Sequence, residues 1–414
     1  MKKTTFSHYS IDNASILFLS LMRKDHTNTF RFSITLTEEI CPDTLQQAVD
    51  RIYRRFPTVI AGFYPGFFHY IQVPASTPPQ VLPDPGCLLT MQKQEIRNCA
   101  YRVYYSEKTV SIEAFHALTD GYGAIASFTT LIAEYLRIKY GICIPNTNTL
   151  IDIAQSPTLN ELEDSFLRCE EGQPLQLPSQ YAYQLPAHSP VSTGIHRSSL
   201  SVPTDALLSA AHRYNVSITM LLSTLMAQSI MEIQKKHHAA ETLKPVRIMV
   251  PVDLRKMFPS TTLRNFVLYA LPTLMPQDSN NSFTDILQSF RQQFHSQIER
   301  SRMASIMAYN VKIQENWLFR MIPRSIKCAC LRFGYRFFGE SNSSVTVTNL
   351  GNINLPMEMQ PFVKHIEVIL TPRIGSPYGC ALISYNGTLN LNISRFSVHP
   401  ELETVFFEKL YAIL

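Results

Sequence analysis

Between Val110 and Tyr135 the chain changes its hydrophobic period, and that change constrains the fold more than anything else in the sequence. Val110, Ile112, Ala114 and His116 alternate with Ser111, Glu113 and Phe115, the two-residue period of a β-strand. Beyond Gly121 and Gly123, the residues Ile125, Phe128, Leu131, Ile132 and Tyr135 recur at three- and four-residue steps, the stripe of an amphipathic helix. A strand, a tight turn and a helix therefore follow one another. His116 stands at the strand end, where a substrate can reach its imidazole.

A lone histidine on an apolar face is ordinarily a hydrogen-bonded core residue, and a pair of glycines at a turn needs only backbone freedom to explain it. Composition weighs against that reading here. With 12 His and 14 Gly in 414 residues, a His-x-x-x-Asp-Gly pattern such as His116 to Gly121 arises by chance about 0.03 times. His116 and Asp120, four apart, would share a helix face as metal ligands do, but no third ligand lies nearby and the glycines disfavour helix at that point. No metal is expected.

The same patterning divides the rest of the chain. In the first half Phe30 to Leu36, Phe67 to Val73 and Ala100 to Tyr105 read as strands, as does the apolar run Ile16 to Met22, and Pro42 to Phe56 reads as a helix with proline at its start. Residues 145–195 are rich in Pro, Ser, Gln and Asn with little periodicity, the composition of a linker or crossover. In the second half, strands are expected at Ser198 to Val202, Val246 to Val250, Phe266 to Leu271, Val345 to Thr348, Ile366 to Leu370, Cys380 to Tyr385 and Leu389 to Ser394. Asn386-Gly387 marks a hairpin turn. Helices are expected after Pro203-Thr204-Asp205, from Ser217, over Ser282 to Arg300 and from Pro400. Strands and helices mixed in both halves give an α/β (α+β) protein with an N-terminal lobe at 1–155, a crossover at 156–195 and a C-terminal lobe at 196–414.

The His-x-x-x-Asp-Gly segment behind a strand resembles the active-site motif of the chloramphenicol acetyltransferase-like superfamily, which includes alcohol O-acetyltransferases and condensation domains of nonribosomal peptide synthetases. Met249-Val250-Pro251-Val252-Asp253-Leu254-Arg255-Lys256, Leu263-Arg264-Asn265-Phe266-Val267 and Val345-Thr346-Val347-Thr348-Asn349-Leu350-Gly351 are similar to segments of the alcohol acetyltransferase branch. Condensation domains typically carry two adjacent histidines, whereas Phe115 precedes His116 here, and the Asp-Phe-Gly-Trp-Gly of the plant acyltransferases is absent. The resemblance implies two similar lobes with a solvent tunnel between them that reaches His116.

It also implies the chemistry. An imidazole with a pKa near neutrality can take a proton from an alcohol or amine that attacks a thioester carbonyl, and return it to the departing thiolate. His116 would be that general base. Asp120 would turn away from the substrate and pair with Arg255. Gly121 and Gly123 would let substrate approach the turn, with Tyr122 as a wall between them, and Gly351 would use its backbone freedom. Thr346, Thr348 and Asn349 are the candidates for an oxyanion donor or tunnel lining; alternation puts the two threonines on one face and Asn349 on the other. The co-substrate would be acyl-coenzyme A, with no permanently bound cofactor, and the acceptor a small alcohol or amine. A stand-alone condensation-type enzyme using acyl carrier protein thioesters, in secondary-metabolite or lipid biosynthesis, and a catalytically silent binding module are the alternatives.

Composition is consistent with such an enzyme. The net charge of +5 suits an anionic thioester carrier but is too small to suggest nucleic acid. Eight scattered cysteines without Cys-x-x-Cys read as reduced, mostly buried thiols of a cytoplasmic protein, Cys328 and Cys330 included. No apolar stretch reaches transmembrane length. Leu318 to Gly339 combines Arg320, Arg324, Lys327, Arg332 and Arg336 with Phe319, Met321, Ile322, Leu331, Phe333, Tyr335, Phe337 and Phe338 among others, and no acid, the pattern of a solvated helix face or of a docking surface for coenzyme phosphates, a carrier protein or an anionic membrane.

Overall fold

The computed structural model describes residues 8–23, 26–147, 149–168, 181–186, 194–338, 342–373 and 375–414. The first part of the chain forms β1 (Tyr9–Ser10), α1 (Asn13–Leu21), β2 (Thr29–Leu36), α2 (Pro42–Ile52), β3 (Ala61–Pro65), β4 (Tyr70–Pro74), β5 (Val81–Pro83), α3 (Lys93–Asn98), β6 (Tyr101–Ser106), β7 (Thr109–Phe115) and α4 (Gly121–Tyr140). The crossover holds the short α5 (Leu159–Leu162). There follow β8 (His196–Pro203), α6 (Thr204–Arg213), α7 (Ile218–His237), β9 (Val246–Asp253), β10 (Val267–Ala270), β11 (Thr273–Leu274) and α8 (Phe283–Gln297). The chain closes with α9 (Arg300–Glu315), α10 (Trp317–Met321), α11 (Arg324–Phe338), β12 (Val345–Asn352), β13 (Val363–Leu370), β14 (Tyr378–Tyr385), β15 (Thr388–Arg395) and α12 (Glu401–Tyr411).

Two mixed sheets with flanking helices form two lobes. The first orders its strands β13-β2-β7-β6-β5, and the second β10-β9-β12-β14-β15-β8 with β11 beside β9. The division at 155 and 195 does not hold every strand in its own half: β13 pairs antiparallel with β2, Val368 opposite Phe32, and its Val363, Ile366 and Val368 enter the first core. Two asparagines of β15 stitch the sheets together, the Asn390 and Asn392 amides donating to the carbonyls of Ile366 and Val368 at 2.8 and 3.0 Å. Asn386 and Gly387 make the β14–β15 turn with φ of 47° and 75°, the left-handed geometry that suits this dipeptide.

Several expectations need correction. Ile16 to Met22 is not a strand but lies in and just beyond α1, which starts because the Asp12 carboxylate accepts the Ser15 N–H at 2.7 Å. The run is apolar all round because α1 packs on α11 as well as on the first core. The Phe67 to Val73 strand begins only at Tyr70, and its partner β3 was not expected from its Gly and Pro content. The α9 helix was likewise not expected. The cysteines are not mostly buried: Cys328 and Cys380 are, Cys41 and Cys99 are half-buried, and Cys87, Cys143 and Cys330 are exposed; Cys169 lies outside the described residues. The start of the crossover is held in place: Arg55 grips Glu161 at 2.8 Å and the Thr158–Glu161 capping box starts α5. No single helix among the described residues is long and apolar enough to cross a membrane.

Candidate active site

Strand β7 ends at Phe115, and the next residue, His116, is fixed through its own backbone. Its N–H donates to the Asn28 carbonyl at 2.8 Å, and its carbonyl accepts from the Asn265 amide at 3.0 Å. The following turn is tied to the second half of the chain, with the Thr119 hydroxyl donating to the Leu263 carbonyl at 2.6 Å. Helix α4 begins at Gly121, four residues before its apolar stripe, because Asp120 is its N-cap: one carboxylate oxygen accepts from the Tyr122 and Gly123 N–H groups at 3.1 and 3.3 Å.

The two glycines make room for close-packed protein. A Cβ on Gly123 would lie 2.2 Å from the Leu263 carbonyl oxygen and 2.3 Å from the Thr119 hydroxyl, so the second-half segment can approach only glycine there. A Cβ on Gly121 would lie 2.5 Å from the Leu350 side chain. Segments 263–266 and 350 of the second half thus press directly on the His116 turn, and the turn sits at the seam of the lobes.

Asp120 and Arg255 knot that seam. Arg255 Nη1 lies 2.8 Å from one Asp120 oxygen and Nη2 lies 3.3 Å from the other, while the Phe266 N–H donates to Asp120 at 2.9 Å. Arg255 is in turn held by Asp253 at 3.0 Å and by the carbonyls of Thr262 and Arg264, both at 2.8 Å. The Tyr122 ring stacks on its guanidinium, 4.5 Å from ring centre to Cζ. With side-chain exposures of 2 % and 6 %, neither charge is tolerable without the other.

The imidazole itself is half-buried. Phe18 stacks on one face at 4.5 Å and Phe30 meets it edge-on at 5.1 Å. Burial pushes the ring below the ordinary imidazole value, against weaker opposing pulls from its own backbone, the Asp120 carboxylate and the Asn265 amide. The neutral ring is therefore the favoured form at neutral pH. Nδ1 is buried without a side-chain partner.

Phe18 is placed by a second polar cluster that sequence reasoning missed. The Ser15 hydroxyl donates to the Ala117 carbonyl at 2.6 Å, and Asp12, the cap of α1, lies 3.4 Å from Arg264 Nε. Arg264 is buried and donates to the Ser10 carbonyl at 2.6 Å. Asp164, from the crossover, has its carboxyl pushed up to about 7 by burial and by the neighbouring Asp12. The signal available was Asp12 followed three residues later by Ser15, a helix start hidden by the apolar run behind it.

Two of the β12 candidates have side-chain partners of their own. Thr346 donates to the Met249 sulfur at 3.7 Å, and the Asn349 amide donates to the Thr219 hydroxyl of α7 at 3.0 Å. Among the described residues no hydrogen bond joins Thr346, Thr348 or Asn349 to His116. The strand bulges between Asn349 and Asn352, and Gly351 takes the left-handed φ of 76° that the bulge requires. It is Leu350 that reaches the turn. Two surface cavities, of about 300 Å³ beside Tyr64 and Asn98 and about 500 Å³ beside Asp164 and Arg264, do not border His116.

No protein-family model matches the chain, and none of the curated proteins matches it in sequence. Solved structures match it throughout. TRI101 of F. sporotrichioides, complexed with coenzyme A and T-2, is similar with a TM-score of 0.65 at 12 % identity, covering 97 % of each chain. The trichothecene 15-O-acetyltransferase TRI3 of Fusarium sporotrichioides gives a TM-score of 0.60 at 9 % identity, over 99 % of this chain and 97 % of that one. Polyketide synthase associated protein 5 of Mycobacterium tuberculosis gives 0.61 at 15 % identity, over 98 % and 97 %. The chain has the two-lobed chloramphenicol acetyltransferase-like fold that these proteins share.

Proposed function

We propose that this protein transfers an acyl group from coenzyme A to an alcohol or amine, with His116 as the general base. The observation that carries the reading is a neutral imidazole, half-buried between two aromatic rings at the seam of the lobes, whose nearby carboxylate is committed to Arg255. That commitment leaves the ring free to exchange a proton with substrates. The similar TRI101 structure holds coenzyme A and the similar TRI3 is an acetyltransferase, which supports the donor.

The acceptor O–H or N–H would give its proton to Nε2 as its lone pair bonds to the thioester carbonyl carbon. The resulting tetrahedral intermediate would collapse with loss of the C–S bond, and the proton would pass from Nε2 to the thiolate. A thioester is already activated, so no covalent enzyme intermediate is needed. Thr346 and Thr348, on one face of β12, remain the oxyanion and tunnel candidates, whereas the bond to Thr219 turns Asn349 towards α7. Asp120 and Arg255 act as positioning residues.

Thiol release from acetyl coenzyme A with a panel of alcohols and amines tests the reaction class. His116→Ala should lower kcat by about 10²- to 10⁴-fold, the usual contribution of a positioned base, with the fold retained by circular dichroism. Unchanged turnover in that variant would reject the role. Release only from acyl carrier protein thioesters would move the donor to a carrier-bound chain.

A further inference from the structure

Helix α11 turns its apolar face to solvent. Ile326, Ala329, Cys330 and Phe333, three and four residues apart, are exposed, while Lys327 and Cys328 are buried. The cations point back into the protein: Arg324 donates to the Gly66 carbonyl at 2.9 Å and the Tyr70 hydroxyl at 3.2 Å, and Arg332 to the Ser20 carbonyl at 2.6 Å. Lys327 reaches His69 at 3.2 Å and the Arg320 carbonyl at 3.3 Å. Arg324 and Lys327 are therefore structural ties, whereas Arg320 and Arg332 stay exposed.

The exposed face continues beyond the helix. Phe67 at the β3–β4 turn, Trp317, Leu318 and Met321 of α10, and Ile326 and Phe333 each expose more than half of their surface. The three elements are joined, since the Arg324 N–H bonds the Phe67 carbonyl at 2.9 Å and Lys327 lies 5.0 Å over the Phe319 ring of α10. Their charge is uncompensated. No acidic residue occurs from Trp317 to Phe338, and Arg320, Arg324, Lys327 and Arg332 form no ion pair among the described residues.

We propose that this face docks the protein on an anionic lipid surface, with the Phe67 turn and α10–α11 side chains entering the headgroup boundary and the exposed Arg320 and Arg332 facing lipid phosphates. A second copy is a poor occupant, because a self-complementary contact would set the same cations against each other. A protein partner needs hollows matched to side chains that protrude from three separate elements, whereas a bilayer boundary accepts them as they stand. The inference is independent of the acyl transfer reading.

Trp317, the only tryptophan of the chain, is itself the reporter. The full chain is titrated with vesicles of phosphatidylcholine alone and of phosphatidylcholine with phosphatidylglycerol, and its emission and co-sedimentation are followed. A blue shift and sedimentation with the anionic vesicles only, reversed by salt, are expected. Met321→Glu with Ile326→Glu should abolish both while leaving far-UV circular dichroism unchanged. One basic residue near an anionic surface strengthens partitioning about fivefold, so Arg320→Glu should weaken it by roughly tenfold or more. Emission indifferent to both vesicle types overturns the proposal. So does a shift produced by an acidic acyl carrier protein without lipid, or by raising protein concentration alone, which would give the face to a protein partner or to a second copy.

Discussion

Two buried carboxylate–guanidinium clusters border the turn that carries His116, and they are built to opposite rules. At Asp120 a single carboxylate receives five N–H donors, from Tyr122, Gly123, Phe266 and twice from Arg255. At Arg264 one guanidinium serves Asp12 and Asp164, and Oδ2 of each acid and Nε of the arginine lack a hydrogen-bond partner. A satisfied cluster fixes geometry. An under-satisfied one answers to pH, because the cheapest way to bury two acids beside one base is to keep a proton on one of them.

The largest effect is expected at the satisfied pair. Arg255→Ala strands the Asp120 charge and should destabilise the protein by about 3–5 kcal/mol in urea unfolding at pH 8. Arg264→Ala should cost less at pH 6 than at pH 8, since Asp164 can take up a proton. A cost of Arg264→Ala that does not change between pH 6 and pH 8 would contradict the reading of Asp164.

Asp164 comes next. Its folded-state carboxyl titrates at about 7 instead of 3.8, so the folded protein keeps a proton that the unfolded chain releases, and stability falls as pH rises from about 4 through 7. Asp164→Asn should remove that fall and raise stability at pH 8 by on the order of 1–3 kcal/mol. A lower melting temperature of this variant at pH 8 would show that the charged form is the stabilising one.

The smallest effect is expected at Phe18, the residue by which the Asp12 cluster touches the imidazole. An aromatic stack contributes about 0.5–1.5 kcal/mol, so Phe18→Leu should lower kcat no more than about tenfold and leave KM for the acyl donor nearly unchanged. A loss as deep as that of His116→Ala would make Phe18 part of the chemistry.

What was legible in the sequence is what is local. The alternation through Ala114 and the turn at Asn386-Gly387 each act within a few residues, so period and residue type suffice. The pairing of β13 with β2 and the reach of Arg264 to Asp12 join positions more than 200 residues apart, and no local pattern encodes a register or an ion pair over that span. Helix α1 was hidden for a different reason. Packed on both the first core and α11, it is apolar all round and has no period to read. Arg255 does lie beside Asp120; in β12 the strand bulges and Leu350 reaches the turn, which residue order does not announce.

The central claim is that His116 works as an uncharged base. Its folded-state pKa is depressed below 6.5 by burial, so the base-competent form persists into mild acid. The direct measurement is the pH dependence of kcat/KM for thiol release from acetyl coenzyme A, in the wild type and in His116→Ala. The account predicts an acidic limb with its midpoint below 6.5 that disappears in the variant; a midpoint above 6.5, or a limb that survives the loss of His116, would contradict it.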